Sequence, residues 1–142
     1  MNISAKTEYA CLAVLELASR YGSGETVRVR EIAQFHGIPT PFLVQILIHL
    51  KAGGLVESTR GAAGGYRLIR DPAEITLAEV KTIIEGPSNE ICGNASIPTA
   101  ASRVLLQAWH EIDNVQREML NNITVAELLE RMNSTSEAMY YI

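Results

Sequence analysis

The sequence predicts a mainly α-helical protein with a small β-hairpin, arranged as a winged helix-turn-helix domain plus a long C-terminal helix. Helix-spaced apolar residues run through a chain of 142 residues that is 47% hydrophobic but only 6% aromatic, as in an aliphatic helical core. A tight connection at Gly37–Pro39 separates two short helical segments. Two short β-type segments then flank a glycine-rich tip.

The first 52 residues predict three helices with short connections. Thr40 is expected to cap the third helix, because Pro41 follows it at the favoured first helical position. Gly37 ends the second helix, and Gly53 closes the third. In chain order the expected elements are a helix over about 4–21, an extended piece at 27–29, a helix over 30–36 and a helix from 41 to 51 or 52.

The second part of the chain predicts a hairpin and three further helices. Thr76 and Thr124 each precede an apolar run and carry a glutamate three residues on, so each predicts a capping box, with Glu79 and Glu127. The expected elements are strands 55–58 and 66–69, helix 77–84, an irregular loop over 86–99, a long amphipathic helix over 101–121, a helix over 125–132 and a frayed end from 133.

Charge is distributed unevenly between the two halves of the chain, although the net charge is −4. Residues 1–70 carry eight Lys or Arg against five Glu, whereas residues 71–142 carry four against eleven acidic residues. A basic half joined to an acidic half is expected when one part meets phosphate and the other does not. We therefore predict a DNA-binding domain over 1–75, with Arg28 among its candidate contacts, a connecting helix and sensor-type loop over 76–100, and C-terminal helices over 101–142.

The third helix is the candidate recognition helix, because the DNA major groove admits one α-helix that a second helix braces. Gln45 can pair with adenine through two hydrogen bonds, and Thr40 or Phe42 can contact a thymine methyl group or a phosphate. The candidate contacts on its first turn and exposed flank are Thr40, Pro41, Phe42, Gln45 and His49.

The hairpin tip is the candidate wing. Its glycines at 61, 64 and 65 permit positive φ and close backbone approach, while Arg60 precedes the tip and Arg67 follows it. Arginines beside such a tip can meet the phosphate backbone or enter a minor groove. The tip lacks the Lys-Ser/Thr of a P-loop and the glycine order of a dinucleotide-binding loop, so a nucleotide site is not predicted.

Four segments resemble the Rrf family of bacterial winged helix-turn-helix regulators, whose branches are IscR-, NsrR- and CymR-like. They are TEYAC, REIAQFHGIPTPFLVQILIHLKAGGLVESTRGAAGGYRLIR, DPAEITLAEV and WHEIDNVQREMLNNITVAELL, and the resemblance covers about residues 1–132. It implies a homodimer in which the long helix is a dimerisation helix that crosses to the partner, and a palindromic operator contacted by two recognition helices and two wings.

Carried over position by position, the resemblance implies DNA contacts on both elements. Thr40, Phe42 and Gln45 fall on the recognition helix. On the wing fall Ser58, Arg60 and the turn formed by Gly64, Gly65 and Tyr66. The long helix would supply the dimer interface through Val104, Leu105, Ala108, Trp109, Ile112, Val115 and Met119.

The sensor loop departs from the family pattern. Cluster-binding members place three cysteines before the long helix, whereas this loop has only Cys92. Glu8 and His110 are the other candidate ligands, but an iron–sulfur cluster usually needs four ligands, mostly thiolates. No cofactor is firmly predicted, and the single loop cysteine disfavours a cluster. A labile cluster, a thiol switch at Cys92, a small-molecule effector and a regulatory partner enzyme remain open as signals.

These observations predict a sequence-specific DNA-binding transcription regulator that acts as a homodimer and responds to a redox, iron–sulfur or metabolite signal. The alternative is a winged-helix protein-interaction module without operator binding. The sequence offers no Ser/His/Asp set and no metal spacing, so an enzyme is not expected. It shows neither a signal peptide nor a run of about 18–20 apolar residues, and we expect a cytoplasmic protein without a membrane partner.

Overall fold

Helices and one antiparallel hairpin follow each other in the predicted order. The computed structural model describes residues 1–62 and 64–140, with side chains described as far as residue 135. Its elements are α1 (Ala5–Ala18), α2 (Val29–His36), α3 (Thr40–Ala52), β1 (Val56–Thr59), β2 (Gly65–Leu68), a 3₁₀ turn (Pro72–Glu74), α4 (Leu77–Glu85), α5 (Ala100–Asn122) and α6 (Val125–Tyr140). The predicted fold class is thereby confirmed.

The helix starts follow from local hydrogen bonds. Ser4 caps α1, because its hydroxyl accepts a hydrogen bond from the backbone N–H of Thr7 at 3.1 Å. The predicted cap of α3 is wrong by one residue. The backbone N–H of Leu43 donates to the carbonyl of Pro39 at 3.1 Å, so Pro39 is the N-cap residue and Thr40 already has helical backbone. The Thr40 side chain makes no capping bond and is exposed to solvent.

The wing is a two-stranded ribbon to which a third extended piece is bound. β1 and β2 pair antiparallel, each shifted by one residue from the predicted strands. Val27 lies beside Tyr66, and each donates its backbone N–H to the other's carbonyl at 2.8 Å. The predicted extended piece before α2 therefore attaches the wing directly to the helix-turn-helix.

The core is aliphatic, and α1 lies at its centre, in contact with α2, α3, α4, α6 and β2. Thr7 is the only buried polar residue among those that the structure describes, and its hydroxyl donates to a Glu85 carboxylate oxygen at 2.9 Å. The largest fully buried side chains are Leu17, Ile32, Leu43, Ile46, Leu47, Leu50, Leu55, Ile75, Val14, Val27, Val56 and Val80.

The chain leaves this core after α4 and returns to it at α6. Thr76 and Thr124 form an antiparallel bridge. The N–H of Leu77 donates to the carbonyl of Ile123 at 3.0 Å, and that of Val125 donates to the carbonyl of Ile75 at 2.8 Å. Val125, at the start of α6, is only 2% exposed. The two ends of the segment that contains α4 and α5 are thus held side by side.

At α4 and at α6, only one of the two hydrogen bonds of the predicted capping box forms. The Thr76 and Thr124 hydroxyls accept from the N–H groups three residues on, at 3.2 and 3.1 Å. The glutamates do not reach back, because Glu79 pairs with Arg70 and Glu127 with Arg131.

Both ends of α5 and the end of α6 also differ from prediction. The capping box that forms on both sides lies at Thr99 and Ser102, where the sequence offered no glutamate. The helix α6 continues to Tyr140 rather than ending at Met132, and residues 141–142 of the predicted frayed end lie outside the described residues. None of the described helices combines the length and the apolar character that crossing a membrane demands.

The close approach of the wing to residue 27 leads to a stability prediction. Gly65 has φ +150°, and a Cβ atom there would lie 2.6 Å from the carbonyl oxygen of Val27. We expect Gly65→Ala to lower the free energy of unfolding by about 2–4 kcal/mol. Gly93 is the matched control, because an added Cβ would only touch a Leu106 methyl group at 3.8 Å. Urea unfolding at one protein concentration checks both variants, and equal losses would contradict the explanation.

Candidate nucleic-acid interface

Burial of one face fixes which side of α3 meets solvent. Leu43, Ile46, Leu47 and Leu50 are at most 1% exposed, as the sequence predicted. Because residues three and four apart share a helix face, the opposite side is free for a ligand. The residues predicted on the first turn and flank of α3 are all exposed there, namely Thr40, Pro41, Phe42, Gln45 and His49.

Two exposed residues of α3 lie outside the predicted set of DNA contacts. Val44 is 38% exposed and Ile48 is 48% exposed, on the side of the helix away from the core. Their apolar side chains stand in the run Leu43–Leu50, where hydrophobicity alone does not separate the inner from the outer face. Helical spacing is the signal that could have identified them. Val44 lies three residues from only one of the buried residues, Leu47, and Ile48 lies three or four residues from none of them.

The wing presents one arginine without a partner and one that is paired. Arg60 is exposed and makes no hydrogen bond or ion pair with the residues that the structure describes. Arg67 instead forms an ion pair with Glu57, which lies opposite it in the hairpin register. The Ser58 hydroxyl accepts from Lys51 Nζ at 2.8 Å, which joins the wing to the end of α3.

Arg28 connects the start of α2 to the wing tip. It is the N-cap residue of α2, and its guanidinium donates to the backbone carbonyl of Ala62. This bond and the bridge between Val27 and Tyr66 hold the tip and the adjoining start of β2 against one short segment. The structure therefore places Arg28 as a residue that positions the tip.

The surface formed by α3 and the wing has the charge that a polyanion requires. No acidic residue lies in α3. Arg28, Arg30, Lys51 and Arg60 surround its exposed face or the adjoining wing, and all four are exposed. The structure thus gathers the predicted recognition-helix and wing residues on connected elements.

The candidate sensor residues are not brought together within one chain. Cys92 is exposed and borders a cavity of about 280 Å³ between its loop and the Leu105 and Trp109 side chains of α5. Glu8 lines a different groove, of about 380 Å³, between α1, α4 and α5. His110 is exposed on α5 and lines neither cavity.

These donors do not fit an iron–sulfur cluster. Such clusters take mostly thiolate ligands, usually four, and the loop before α5 offers Cys92 alone. Among the side chains that the structure describes, in residues 1–62 and 64–135, no three of His, Cys, Asp or Glu gather as a metal site would require. The walls beside Cys92 are largely apolar, since Ile91, Leu105, Leu106 and Trp109 line them.

The second cysteine is a packing residue. Cys11 lies half-buried in α1, and burial, together with the nearby negative charge of Glu85, raises the pKa of its thiol from 9.0 to about 11. It is therefore a neutral thiol at physiological pH, a state that disfavours nucleophilic attack.

The outer face of α5 is apolar and uncovered. None of its residues is buried, and Leu105, Ile112 and Met119 repeat every seven residues. Ala108 and Val115 each follow three residues after a member of that set, which is the spacing of a coiled-coil seam. The exposed fractions of the large side chains on this face are Val104 67%, Leu105 57%, Trp109 51%, Ile112 49%, Val115 56% and Met119 59%.

Comparisons with known proteins agree with this geometry. Residues 3–131 match the family described as "Rrf2: Iron-dependent Transcriptional regulator". The chain is 32% identical to the HTH-type transcriptional regulator CymR of Bacillus subtilis, over the whole length of both proteins. The solved structure of CymR, the global cysteine regulator of B. subtilis, has a TM-score of 0.80 and 30% identity, and covers 92% of this chain and 98% of that one. The structure of T. potens IscR has a TM-score of 0.74 and 28% identity, covering 93% and 88%.

The raised pKa of Cys11 predicts slow alkylation. In a Cys92→Ser variant at pH 8, the thiolate fraction of Cys11 is about 100-fold below that of a thiol with the ordinary pKa, and iodoacetamide should react correspondingly slowly. The rate should rise as pH approaches 11. The same variant unfolded in urea is the control and should react at the ordinary rate. Rapid native alkylation at pH 8 would show that the thiol is not desolvated.

Proposed function

This chain belongs to the Rrf2 family of transcriptional regulators, and we propose that it acts as a homodimer that binds a palindromic DNA operator. The observation that carries the proposal is the joint placement of α3 and the wing. The exposed face of α3 has no acidic residue, and the wing beside it carries Arg60 without a partner. Residues 1–75 form the DNA-binding unit in this proposal, and the protein works where bacterial DNA is, in the cytoplasm.

The recognition helix supplies the base contacts. Gln45 presents a side-chain amide, which matches the donor and acceptor pair on the major-groove edge of adenine. Thr40 and Phe42 begin the helix beside it, where the backbone N–H groups of a helix N-terminus also favour phosphate. His49 lies one turn further along, on the same side as Gln45.

The wing supplies phosphate or minor-groove contacts. Arg60 is the side chain free to reach DNA, while Arg67 is engaged by Glu57 and makes at most a secondary contact. Gly65 brings the wing close to Val27, and Gly64 lets the tip fold tightly on its own backbone at Thr59–Gly61, because a Cβ on either would meet those backbone atoms within 3 Å. Ser58 and Tyr66 complete the wing surface, together with Arg28 at its tip.

Two copies of α5 form the dimer interface. A helix with an apolar seam and no buried residue requires a partner, and a second copy of the same seam is complementary to it. A two-fold symmetric dimer places two recognition helices on two half-sites, which predicts an inverted repeat in the operator.

In this proposal the signal acts through the loop over 86–99, whose single cysteine does not fit an iron–sulfur cluster. The cavity beside Cys92 suits a small apolar molecule, oxidation of the Cys92 thiol would change the same surface, and a partner enzyme would bind the loop from outside. The likeness to a global cysteine regulator favours a sulfur-metabolism signal among these. Any such signal must bind DNA-competent and DNA-incompetent dimers with different affinity.

A direct test of operator binding uses the full chain and double-stranded DNA. Selection from a random 30-base-pair library should enrich an inverted repeat, and its affinity should fall steeply between about 50 and 200 mM salt. Retention that is weak and independent of sequence would contradict the proposal and would favour a protein-interaction module.

Loss of the unpaired wing arginine should weaken DNA binding. We expect Arg60→Ala to reduce operator affinity about 5- to 50-fold and to lower the salt dependence by about one phosphate contact. Arg131→Ala is the matched control, because Arg131 lies on α6 and pairs with Glu127 four residues before it. Fluorescence anisotropy over a salt series measures both. Equal effects of the two variants would contradict the assigned role of the wing.

A charge in the apolar seam of α5 should separate the dimer. We expect Ile112→Glu to yield monomers that keep their helical content, because burying an unpaired carboxylate opposes association. Asn114→Glu is the matched control, since Asn114 is an exposed residue of α5 about half a turn away from the seam. Sedimentation velocity distinguishes the species. An unchanged dimer in Ile112→Glu would place the interface elsewhere.

A further inference from the structure

Three apolar residues form a line along the exposed face of α3. Pro41, Val44 and Ile48 are spaced by three and four residues, so they share one side of the helix, and we call them the apolar stripe. Val44 and Ile48 are 38% and 48% exposed, and Pro41 is also exposed. Exposed aliphatic residues in line on a DNA-reading helix require an explanation, because that helix must enter a strongly hydrated groove.

Neither the core nor the dimer explains the apolar stripe. The core of this region is filled from the opposite side of α3, by residues such as Leu43 and Leu47. The proposed dimer seam lies on α5, which makes no substantial contact with α3. The stripe is therefore available to the ligand that α3 binds.

The surroundings of the stripe favour a polyanion as that ligand. Lys51 lies at the end of the same helix, and Arg30 and Arg60 lie on α2 and the wing, all exposed to solvent. No aspartate or glutamate interrupts this surface on α3. An apolar protein partner would gain nothing from such a positive border, whereas the groove of a DNA duplex matches it.

One apolar group is displayed in the major groove, the 5-methyl group of thymine. We propose that the apolar stripe recognises thymine methyl groups, with Val44 and Ile48 as specificity-determining residues that act beside Gln45. The operator half-site then contains thymines where the stripe lies and an adenine where Gln45 reaches. This inference rests on operator binding through α3, as proposed above.

The effect of one methyl contact is measurable. Burying a methyl-sized group contributes about 0.8 kcal/mol, which corresponds to about fourfold in affinity. Removal of a single contacted methyl should therefore lower affinity about fourfold, and removal of two should lower it about 15-fold.

The experiment replaces thymine by deoxyuridine, which removes only the methyl group and keeps base pairing. A duplex selected by the full chain is synthesised with each thymine replaced singly on either strand, and affinities are measured by fluorescence anisotropy. We expect a drop of about fourfold at one to three thymines per half-site and none elsewhere. The same series is measured for the Val44→Ala/Ile48→Ala variant and for Gln45→Ala.

The variants separate methyl recognition from other contacts. Val44→Ala/Ile48→Ala should bind more weakly and lose its response to deoxyuridine, because the two truncations remove the same contact and are not additive. Gln45→Ala should also bind more weakly but should keep the response. Alanine is a good helix former at exposed positions, and thermal unfolding monitored by circular dichroism verifies that each variant is folded.

Each other outcome overturns the inference. Wild-type affinity that is unchanged by every single replacement, an equal drop in Val44→Ala/Ile48→Ala, or a selected half-site without thymine would exclude methyl recognition by the stripe. In all three cases the chain still binds a selected sequence, so operator binding survives. Failure to select any sequence would instead overturn the proposed function itself.

Discussion

The rotation of α3 about its own axis is the constraint on which the DNA-binding surface depends. Leu43, Ile46, Leu47 and Leu50 fill the core from one side of the helix and leave it no second orientation. Because a helix turns 100° per residue, fixing those four residues also fixes the direction of Gln45 and of the apolar stripe. In the proposed function, the packing of the protein interior therefore determines which side chains of α3 face the DNA.

The wing depends on a second, weaker set of restraints. Two backbone hydrogen bonds join Val27 to Tyr66, and Arg28 bonds the tip, so two consecutive residues before α2 hold the ribbon at its tip end. A two-stranded ribbon alone is marginally stable in water. Because the ribbon is attached to the helix-turn-helix, the fold also fixes where Arg60 lies relative to α3.

Most of the fold could be predicted from the sequence, because its signals are local. Threonines before apolar runs predicted the caps at Thr76 and Thr124. The start of α3 was predicted one residue too late. Prolines flank Thr40 on both sides, and a hydrogen bond to the Pro39 carbonyl places the N-cap at Pro39 and not at Thr40. Side-chain contacts between separate elements, such as the ion pair of Arg67 with Glu57, could not be predicted from these local signals.

The site could be predicted only in part, because local sequence signals do not show tertiary contacts. The polar face of α3 is visible as polar residues between leucines. Val44 and Ile48 are apolar, so hydrophobicity does not mark them as exposed, and only their helical spacing relative to the buried residues indicates that they face outward. The uncovered seam of α5 follows from its spacing alone. Whether Cys92 meets Glu8 or His110 depends on tertiary contacts, and within one chain they line separate surfaces.

The bridge between Thr76 and Thr124 brings together the two ends of the segment 77–123, which contains α4, the loop over 86–99 and α5. The backbone hydrogen bonds of Leu77 and Val125 hold the two ends of that segment side by side, so Ile75 and Val125 meet in the core. Within that segment α4 packs on α1 and α3 and buries Val80, so α5 and the loop over 86–99 are the parts that can change with little effect on the core. In the proposed function, the region that receives the signal can therefore vary while α3 and the wing stay unchanged.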